Sequence, residues 1–398
     1  MMNGFTIFSI PIMVPGLRGI SGFRKQKGSV MAQEKRTKGI VNRGNWSRLK
    51  QCMIRASKGE RIVVGFLGGS ITQGSLAADA TRCYAYLTFQ WWKEKFPKAD
   101  IKYVNGGIGG TSSLFGVARA EKDVLTEQPD VVFVDFSVND DATEFFKETY
   151  EGVIRKLYQW HTDPAVVVLN NVFYDTGINA QEYHNTVAAH YEIPCVSIKE
   201  SIYAEIQEGT YQAKDLTSDY LHPNDRGHAL VAGELIKLLE LVWEERDKEE
   251  KTPVYPRPLT ANTYQNAVRY ENGNSSPKLW GFYMDLRKKE NVYDHFKSGW
   301  IGSKVGDRIC FRVECGNLAV QYRKSVKHPA PIAKITVDGK AEDAMILDGS
   351  FDETWGDCLY LQPVLHHTEI CVHEILIEII EATDHDAEPF YLMSLICA

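Results

Sequence analysis

The stretch Ile62-Val63-Val64-Gly65-Phe66-Leu67-Gly68-Gly69-Ser70 decides the architecture of this chain. An apolar run that ends in glycines marks a strand buried on both faces, the habit of a parallel sheet covered by helices. Similar runs recur at residues 101–104, 131–136, 165–169 and 195–198. Between them the apolar period lengthens to that of a helix. Phe146, Tyr150, Val153, Ile154 and Leu157 share one helical face, and Val231, Leu235, Leu238, Leu239 and Val242 share another. Strand and helix in alternation over residues 41–247 predict an α/β domain, a three-layer stack with a parallel sheet in the middle.

Outward from that domain the pattern changes. The last helix runs into a charged tract ending at Lys251, followed at once by Pro253, Pro256 and Pro258. Such a segment can neither continue a helix nor join a sheet, so residues 248–262 read as a linker. Beyond it, Asp338-Gly339 and Asp348-Gly349 read as hairpin turns between short strands, as at residues 334–337 and 344–347. Further strands are expected at 309–315, 318–322, 358–361, 370–380 and 390–397. Residues 263–398 are therefore expected to form an antiparallel β-sandwich.

Composition excludes several classes of function. The chain has 398 residues, enough for two domains, and 45 basic residues against 52 acidic ones give a net charge of −7. Without a long basic run it is a poor match for a nucleic-acid backbone. Eight cysteines (Cys52, Cys83, Cys195, Cys310, Cys315, Cys358, Cys371 and Cys397) are too sparse for a disulfide framework and include no CxxC pair. That usage points to a reducing, cytoplasmic compartment. The apolar stretch of residues 5–17 lacks a preceding basic residue and is too short to span a bilayer, so no membrane attachment is expected. Residues 1–40 read as an N-terminal extension, either disordered or upstream of the true start with Met31 as an ordinary N-terminus; a poor signal peptide is the competing reading.

In an open parallel sheet the ligand site lies beyond the carboxyl ends of the strands, so the residues just after each strand carry the functional information. Gly68-Gly69-Ser70-Ile71-Thr72 follows the first strand, and Asn105-Gly-Gly-Ile-Gly-Gly110 follows the second. Ser137-Val138-Asn139-Asp140 follows the third, and Asp219-Tyr220-Leu221-His222-Pro223 precedes the last helix. A serine hydroxyl needs a base, which an imidazole of pKa ~6.5 supplies near neutrality. A carboxylate three residues before that histidine can fix its tautomer and stabilise the imidazolium. The backbone N–H groups of Ser70 and Gly110 and the neutral amide of Asn139 can receive an oxyanion.

Other readings weigh against these. Gly68-Gly69-Ser70 alone is more often a tight strand-to-helix turn, and neither a Walker loop nor a Gly-x-Ser-x-Gly elbow is present. The glycines at 107, 109 and 110 half-match a dinucleotide turn, but Ser112 stands where the third glycine should be. Asn139 and Asp140 can cap a helix, and Asp219 can be a turn former. His228, with Asp225 three residues before it, is a rival base. His366, His367, Cys371 and His373 invite a metal reading, but in an alternating strand neighbouring side chains face opposite sides.

Taken together, the four blocks resemble those of the SGNH (GDSL-like) hydrolases over roughly residues 60–245. The resemblance implies a flavodoxin-like three-layer fold and an ester hydrolase with Ser70, Asp219 and His222 as the triad and Ser70, Gly110 and Asn139 as the oxyanion hole. It implies no metal and no organic cofactor. Two departures stand out: Gly69 precedes the serine where the family has Asp, and Ser137 stands where the third block usually has Gly. An SGNH domain followed by a β-sandwich is similar to the two-domain carbohydrate acetylesterases, with the sandwich resembling a carbohydrate-binding module. The expectation is therefore a serine esterase removing acetyl groups from mannan or xylan oligosaccharides. Trp300 and Trp355 are the candidate sugar-stacking residues. A short-chain lipid esterase or thioesterase, and a non-catalytic carbohydrate-binding protein, are the alternatives.

Overall fold

The computed structural model describes residues 37–291 and 294–398. The expectations for residues 1–36 lie outside the described residues. The five runs read as buried strands form β2 (Ile62–Gly68), β3 (Ile101–Gly107), β4 (Val131–Asp135), β5 (Ala165–Asn170) and β6 (Cys195–Ser197). Every residue of β2, β4, β5 and β6 is buried, as a sheet covered on both faces requires. The strands pair in parallel in the order β6-β5-β4-β2-β3, which is the flavodoxin-like order when β2 is counted first. An edge strand, β1 (Ile40–Asn42), adds to β6 in the antiparallel sense. Its three residues are too few to carry a readable period, and the sequence reading had ended the extension inside them.

One face of the sheet is covered by α1 (Ser47–Ser57), α3 (Tyr84–Lys95) and α8 (Asp225–Glu244), which close over Phe66 and Phe133 with Trp92, Leu235 and Leu239. The other face is covered by α4 (Ser113–Asp123), α5 (Glu144–Tyr158) and α6 (Gln181–His190), which pack Val117, Ile154 and Val187 against Val132 and Val168. The first turn after β2 is the short helix α2 (Ser70–Gln73), and another short helix, α7 (Ala204–Gln207), precedes α8. Strand order reverses about β2, so the crevice between the carboxyl ends of β2 and β4 is the switch point where ligands bind in such sheets.

Helix α5 has two buried sides. Tyr150, Val153, Ile154 and Leu157 face the sheet as the spacing predicts. The opposite side buries Glu148, Glu151 and Arg155 against the chain that follows α8. No helix or strand forms between Glu244 and Val268, consistent with a linker, but the segment is tied down. Leu259 and Thr260 donate backbone N–H groups to Glu151 at 2.6 and 2.8 Å, and Thr263 donates to Glu148 at 2.8 Å. These bonds satisfy carboxylates that would otherwise be costly to bury.

The C-terminal part is the expected antiparallel sandwich. One sheet runs β15 (Cys358–Leu365), β12 (Leu318–Lys324), β17 (Phe390–Cys397), β10 (Trp300–Gly302) and β9 (Tyr283–Met284), with β7 (Val268–Tyr270) also on β17. The facing sheet runs β14 (Met345–Asp348), β13 (Ile332–Val337), β16 (Cys371–Glu381), β11 (Arg308–Cys315) and β8 (Lys278–Trp280). Strand β17 is buried at all eight positions because both its faces are covered. Phe390, Leu392 and Leu395 enter the sandwich core, whereas Tyr391, Met393 and Ile396 join the apolar cluster beneath α4 and α5. The sandwich is thus fused to the α/β domain through a shared core.

Within the connection between β13 and β14, residues 338–344, Asp338 and Gly339 do form a tight turn, with φ of 54° and 70° and the Lys340 N–H donating to the Val337 carbonyl at 3.1 Å. Asp348-Gly349 makes no hairpin: the chain leaves β14 there and crosses to β15 in the other sheet, through residues 349–357. His366 and His367 lie in the turn after β15, outside any strand, and His367 has a left-handed φ of 52°. The alternation argument therefore does not apply to this pair, whose rings stack with centroids 3.9 Å apart.

Candidate active site

Ser70 opens α2 at the carboxyl end of β2, and its side chain meets the loop that leads into α8. Ser70 Oγ lies 2.8 Å from His222 Nε2, and His222 Nδ1 lies 2.6 Å from Asp219 Oδ2. The other carboxylate oxygen, Oδ1, accepts the backbone N–H groups of His222 and Leu221 at 2.8 and 2.9 Å. Burial opposes ionisation of Asp219, but the His222 ring and these N–H donors outweigh it and hold the carboxyl at about 2. An ionised Asp219 accepts a hydrogen bond from Nδ1–H, which leaves the Nε2 lone pair facing the serine hydroxyl. The three-residue spacing works because Tyr220 takes a left-handed φ of 61°, with its carbonyl held by the Tyr174 N–H at 2.7 Å.

The rival base is excluded by geometry. His228 is fully buried, accepts the Tyr84 N–H at Nδ1 (3.3 Å) and donates from Nε2 to the Ser75 carbonyl (3.1 Å). Burial pushes its pKa down to about 4, so it stands as a neutral packing residue. Asp225 instead accepts the Ala78 N–H.

Gly110 and Asn139 arrive from the ends of β3 and β4. The Asn139 carboxamide lies against Gly69, the residue before the serine. Gly110 has φ of 67°, a conformation that favours glycine. Two residues that the sequence reading had not singled out set this loop. Gln73 Oε1 accepts the Gly109 N–H at 2.6 Å, and Asn105 ties β3 to α2 by donating to the Thr72 carbonyl at 2.9 Å while accepting the Gly107 N–H at 2.8 Å. Asn105 opens the glycine-rich block and was legible as part of it. Gln73 carried no signal, since a glutamine at a helix end has many uses.

Beneath the site, Asp135 at the end of β4 is wholly buried. Burial raises its carboxyl to about 6, against the pull of hydrogen bonds from Asn171 (2.7 Å), Ser137 and Thr72. Ser137 also donates to the Asn171 carbonyl at 2.9 Å, a bond that glycine at this position would lack.

A cleft of about 580 Å³ opens beside Gly110 and Asn139, with Phe145 and Phe146 on one side and Leu359, Tyr360, Leu361 and His366 of the sandwich on the other. Trp355, on the chain crossing from β14 to β15, is 60% exposed and reaches within 3.8 Å of where a Cβ on Gly110 would stand. Trp300, the other expected sugar contact, is fully buried between the two sheets, edge-on to Phe311. It packs the core and cannot touch a ligand. An aromatic residue on a strand reads the same from sequence whichever face it occupies.

Residues 66–230 match the model of the GDSL-like lipase/acylhydrolase family. A two-domain esterase named CEX, active on acetylated mannans, is 50% identical to this chain, superimposes with a TM-score of 0.89, and is matched over 98% of its length and 91% of this one. The chain belongs to the GDSL-like lipase/acylhydrolase family. A crystal of CEX grown with mannopentaose gives the same identity and a TM-score of 0.88. Within the family, an acetylxylan esterase of Geobacillus stearothermophilus is 25% identical over 219 residues, covering 98% of that protein and 48% of this chain. That relative spans one domain's length, whereas the likeness to CEX extends through the sandwich as well. As a member of this family the chain is an enzyme, an ester hydrolase.

Proposed function

We propose that the chain is a serine acetylesterase acting on acetylated mannan oligosaccharides. The observation that carries this reading is the 2.8 Å contact of Ser70 Oγ with a His222 imidazole already oriented by Asp219; Gly110 and Asn139 of the same site line a cleft walled by both domains. In this reading Ser70 Oγ attacks the acetyl carbonyl carbon while its proton passes to His222 Nε2. The oxyanion is received by the Ser70 and Gly110 N–H groups and the Asn139 amide. Collapse breaks the ester C–O bond, and Nε2–H protonates the departing sugar oxygen. Water then attacks the acetyl-serine, returning its proton through His222, and acetate leaves with Ser70 restored. Every step uses groups of the chain itself and water.

Mannan is preferred over xylan because the 50% identity to CEX runs through both domains, and both domains wall the cleft. Trp355 supports the same choice: a largely exposed ring beside Gly110 offers a stacking face to the sugar that carries the acetyl group. We also assign the enzyme to the cytoplasm, acting on imported fragments. The eight unpaired cysteines, seven of them buried, favour a reducing compartment.

The test is acetate release from acetylated mannan, xylan and pectin oligosaccharides, run beside an acyl series from acetate to decanoate. Fastest release from mannan, with activity falling as the acyl chain lengthens, is the expected result. A preference for decanoate would establish a lipid esterase instead, and failure of a fluorophosphonate to label Ser70 would leave a binding protein.

A further inference from the structure

The turn between β15 and β16 places two imidazoles against a buried carboxylate of the other domain. Among the described residues, Glu148, His366 and His367 are the one set of three His, Cys, Asp or Glu side chains whose ligand atoms all lie within 4.8 Å of one another. His367 Nε2 lies 2.7 Å from Glu148 Oε2. Glu148 belongs to α5 of the α/β domain and its side chain is 5% exposed, whereas that of His367 is 41% exposed and leaves a path from solvent.

The surroundings are arranged as a metal's outer shell is. Glu148 Oε1 is doubly occupied by the Thr263 N–H and hydroxyl, both at 2.8 Å, which turns Oε2 towards the histidines. Tyr264 Oη meets His366 Nδ1 at 2.8 Å and fixes that ring, and Asn317 Oδ1 accepts the His367 N–H at 2.8 Å. Ligands held in this way raise metal affinity: second hydrogen bonds orient the Glu148 carboxylate and the His366 ring, and the His367 backbone is pinned by Asn317. The left-handed φ of His367 is what brings its ring onto the same side as that of His366.

We propose that Glu148, His366 and His367 bind a zinc-class divalent ion that clips the sandwich to helix α5. Two imidazoles and one carboxylate are a nitrogen–oxygen donor set suited to zinc, with a water in the fourth position. Ligand atoms at zinc distances of ~2.0–2.2 Å stand about 3.3 Å apart in a tetrahedron. The Glu148–His367 contact therefore opens by about half an ångström, and the metal takes the place of the proton between them. Because His366 also lines the cleft, the ion fixes one wall of the substrate channel while the acyl-transfer chemistry proceeds without it.

The experiment strips the full-length chain with EDTA, removes the chelator, and counts zinc retained after equilibrium dialysis against ZnCl2. Cobalt(II) serves as a second probe through its visible absorption. One zinc per chain is expected, together with a rise in Tm on zinc addition. Glu148→Gln, which keeps the side chain's shape, and His367→Ala should each retain less than a tenth of that zinc, whereas His385→Ala, at an exposed position elsewhere in the sandwich, should retain all of it. Circular dichroism verifies that each variant is folded. No zinc on the unsubstituted chain, or full zinc on folded Glu148→Gln and His367→Ala, overturns the proposal.

Discussion

The carboxamide of Asn139 occupies the space that a side chain on Gly69 would need: a methyl built on Gly69 would stand 2.0 Å from Oδ1 and 2.8 Å from Cγ. This relationship accounts for glycine where the family motif has Asp, since any side chain at 69 would displace an amide proposed to receive the oxyanion. The clash is with the end of a side chain, which can swing away, and the φ of −88° at Gly69 suits any residue. Gly69→Ala should therefore leave Tm nearly unchanged and lower kcat by about 10²–10³-fold, the usual cost of one oxyanion donor. Asn139→Ala should match it, and the double variant should be little worse than either single one. Kinetics and thermal melts on the three variants decide the matter; strictly multiplicative losses would mean that the two residues act separately.

The choice of base is open to a direct comparison. Ser70→Ala and His222→Ala should lose nearly all acetate release while keeping their melting temperature, because neither belongs to the apolar core: Ser70 gives up only a hydroxyl, and the His222 ring is partly exposed. His228→Ala should do the reverse. It leaves the Tyr84 N–H and Ser75 carbonyl without partners, so Tm should fall by several degrees, while kcat measured well below Tm stays within a few-fold. His228 titrates at about 4 in the fold against an ordinary 6.5, so its contribution to stability is complete above about pH 6.5 and fades as the pH falls towards 4. The Tm difference between the unsubstituted chain and His228→Ala should shrink over that interval. Equal losses of activity in His222→Ala and His228→Ala would reopen the assignment.

Much of this was legible in the sequence because it follows from period and punctuation. Runs buried on both faces gave five parallel strands, and the residues after them gave Ser70, Gly110 and Asn139. The Asp219-x-x-His222 spacing was readable too, although the left-handed Tyr220 that makes it work was not. What stayed hidden depended on tertiary facing. A tryptophan's surroundings are set by tertiary placement: Trp300 lies on β10 and faces the core, whereas Trp355 lies on the exposed crossing between β14 and β15. The second buried side of α5 was invisible because Glu148, Glu151 and Arg155 look like a solvated face until the linker supplies their partners. His366 and His367 were read as strand residues and fell in a turn, where neighbours can share one side.

Trp355 allows the sandwich's share in substrate binding to be separated from the chemistry. Its ring stands beside Gly110, and it is largely exposed. Trp355→Ala should raise KM for acetylated mannan oligosaccharides about three- to tenfold, the size of one aromatic contact. Hydrolysis of a small aryl acetate, which has no sugar to stack, should be unchanged in kcat and KM. Trp300→Ala should act through stability alone, costing about 3–5 kcal/mol for a large buried ring and lowering Tm for every substrate alike. If Trp355→Ala impairs both substrates equally, the ring shapes the oxyanion loop rather than the sugar site.

The interdomain seam also carries a charge whose pH dependence has a definite sign. Glu271 accepts Lys122 at 2.6 Å, Arg269 at 3.0 Å and Lys289 at 3.1 Å. Burial would raise its carboxyl, but Arg269, Lys289 and Lys122 together hold it at about 2, below the ordinary 4.5. A depressed carboxyl stabilises the fold above its unfolded pKa and loses that contribution as the pH falls through the folded one. Glu271→Gln should therefore destabilise the protein at pH 7 by about 1–3 kcal/mol, less than a wholly buried pair would because Lys122 is mostly in solvent. Below pH 4.5 the unsubstituted chain begins to protonate Glu271 and to lose the same interaction, so the two melting curves should converge between about 4.5 and 2. Thermal melts at half-unit pH steps check this, and a gap that stays constant down to pH 3 would show that Glu271 does not carry the charge that orders the seam.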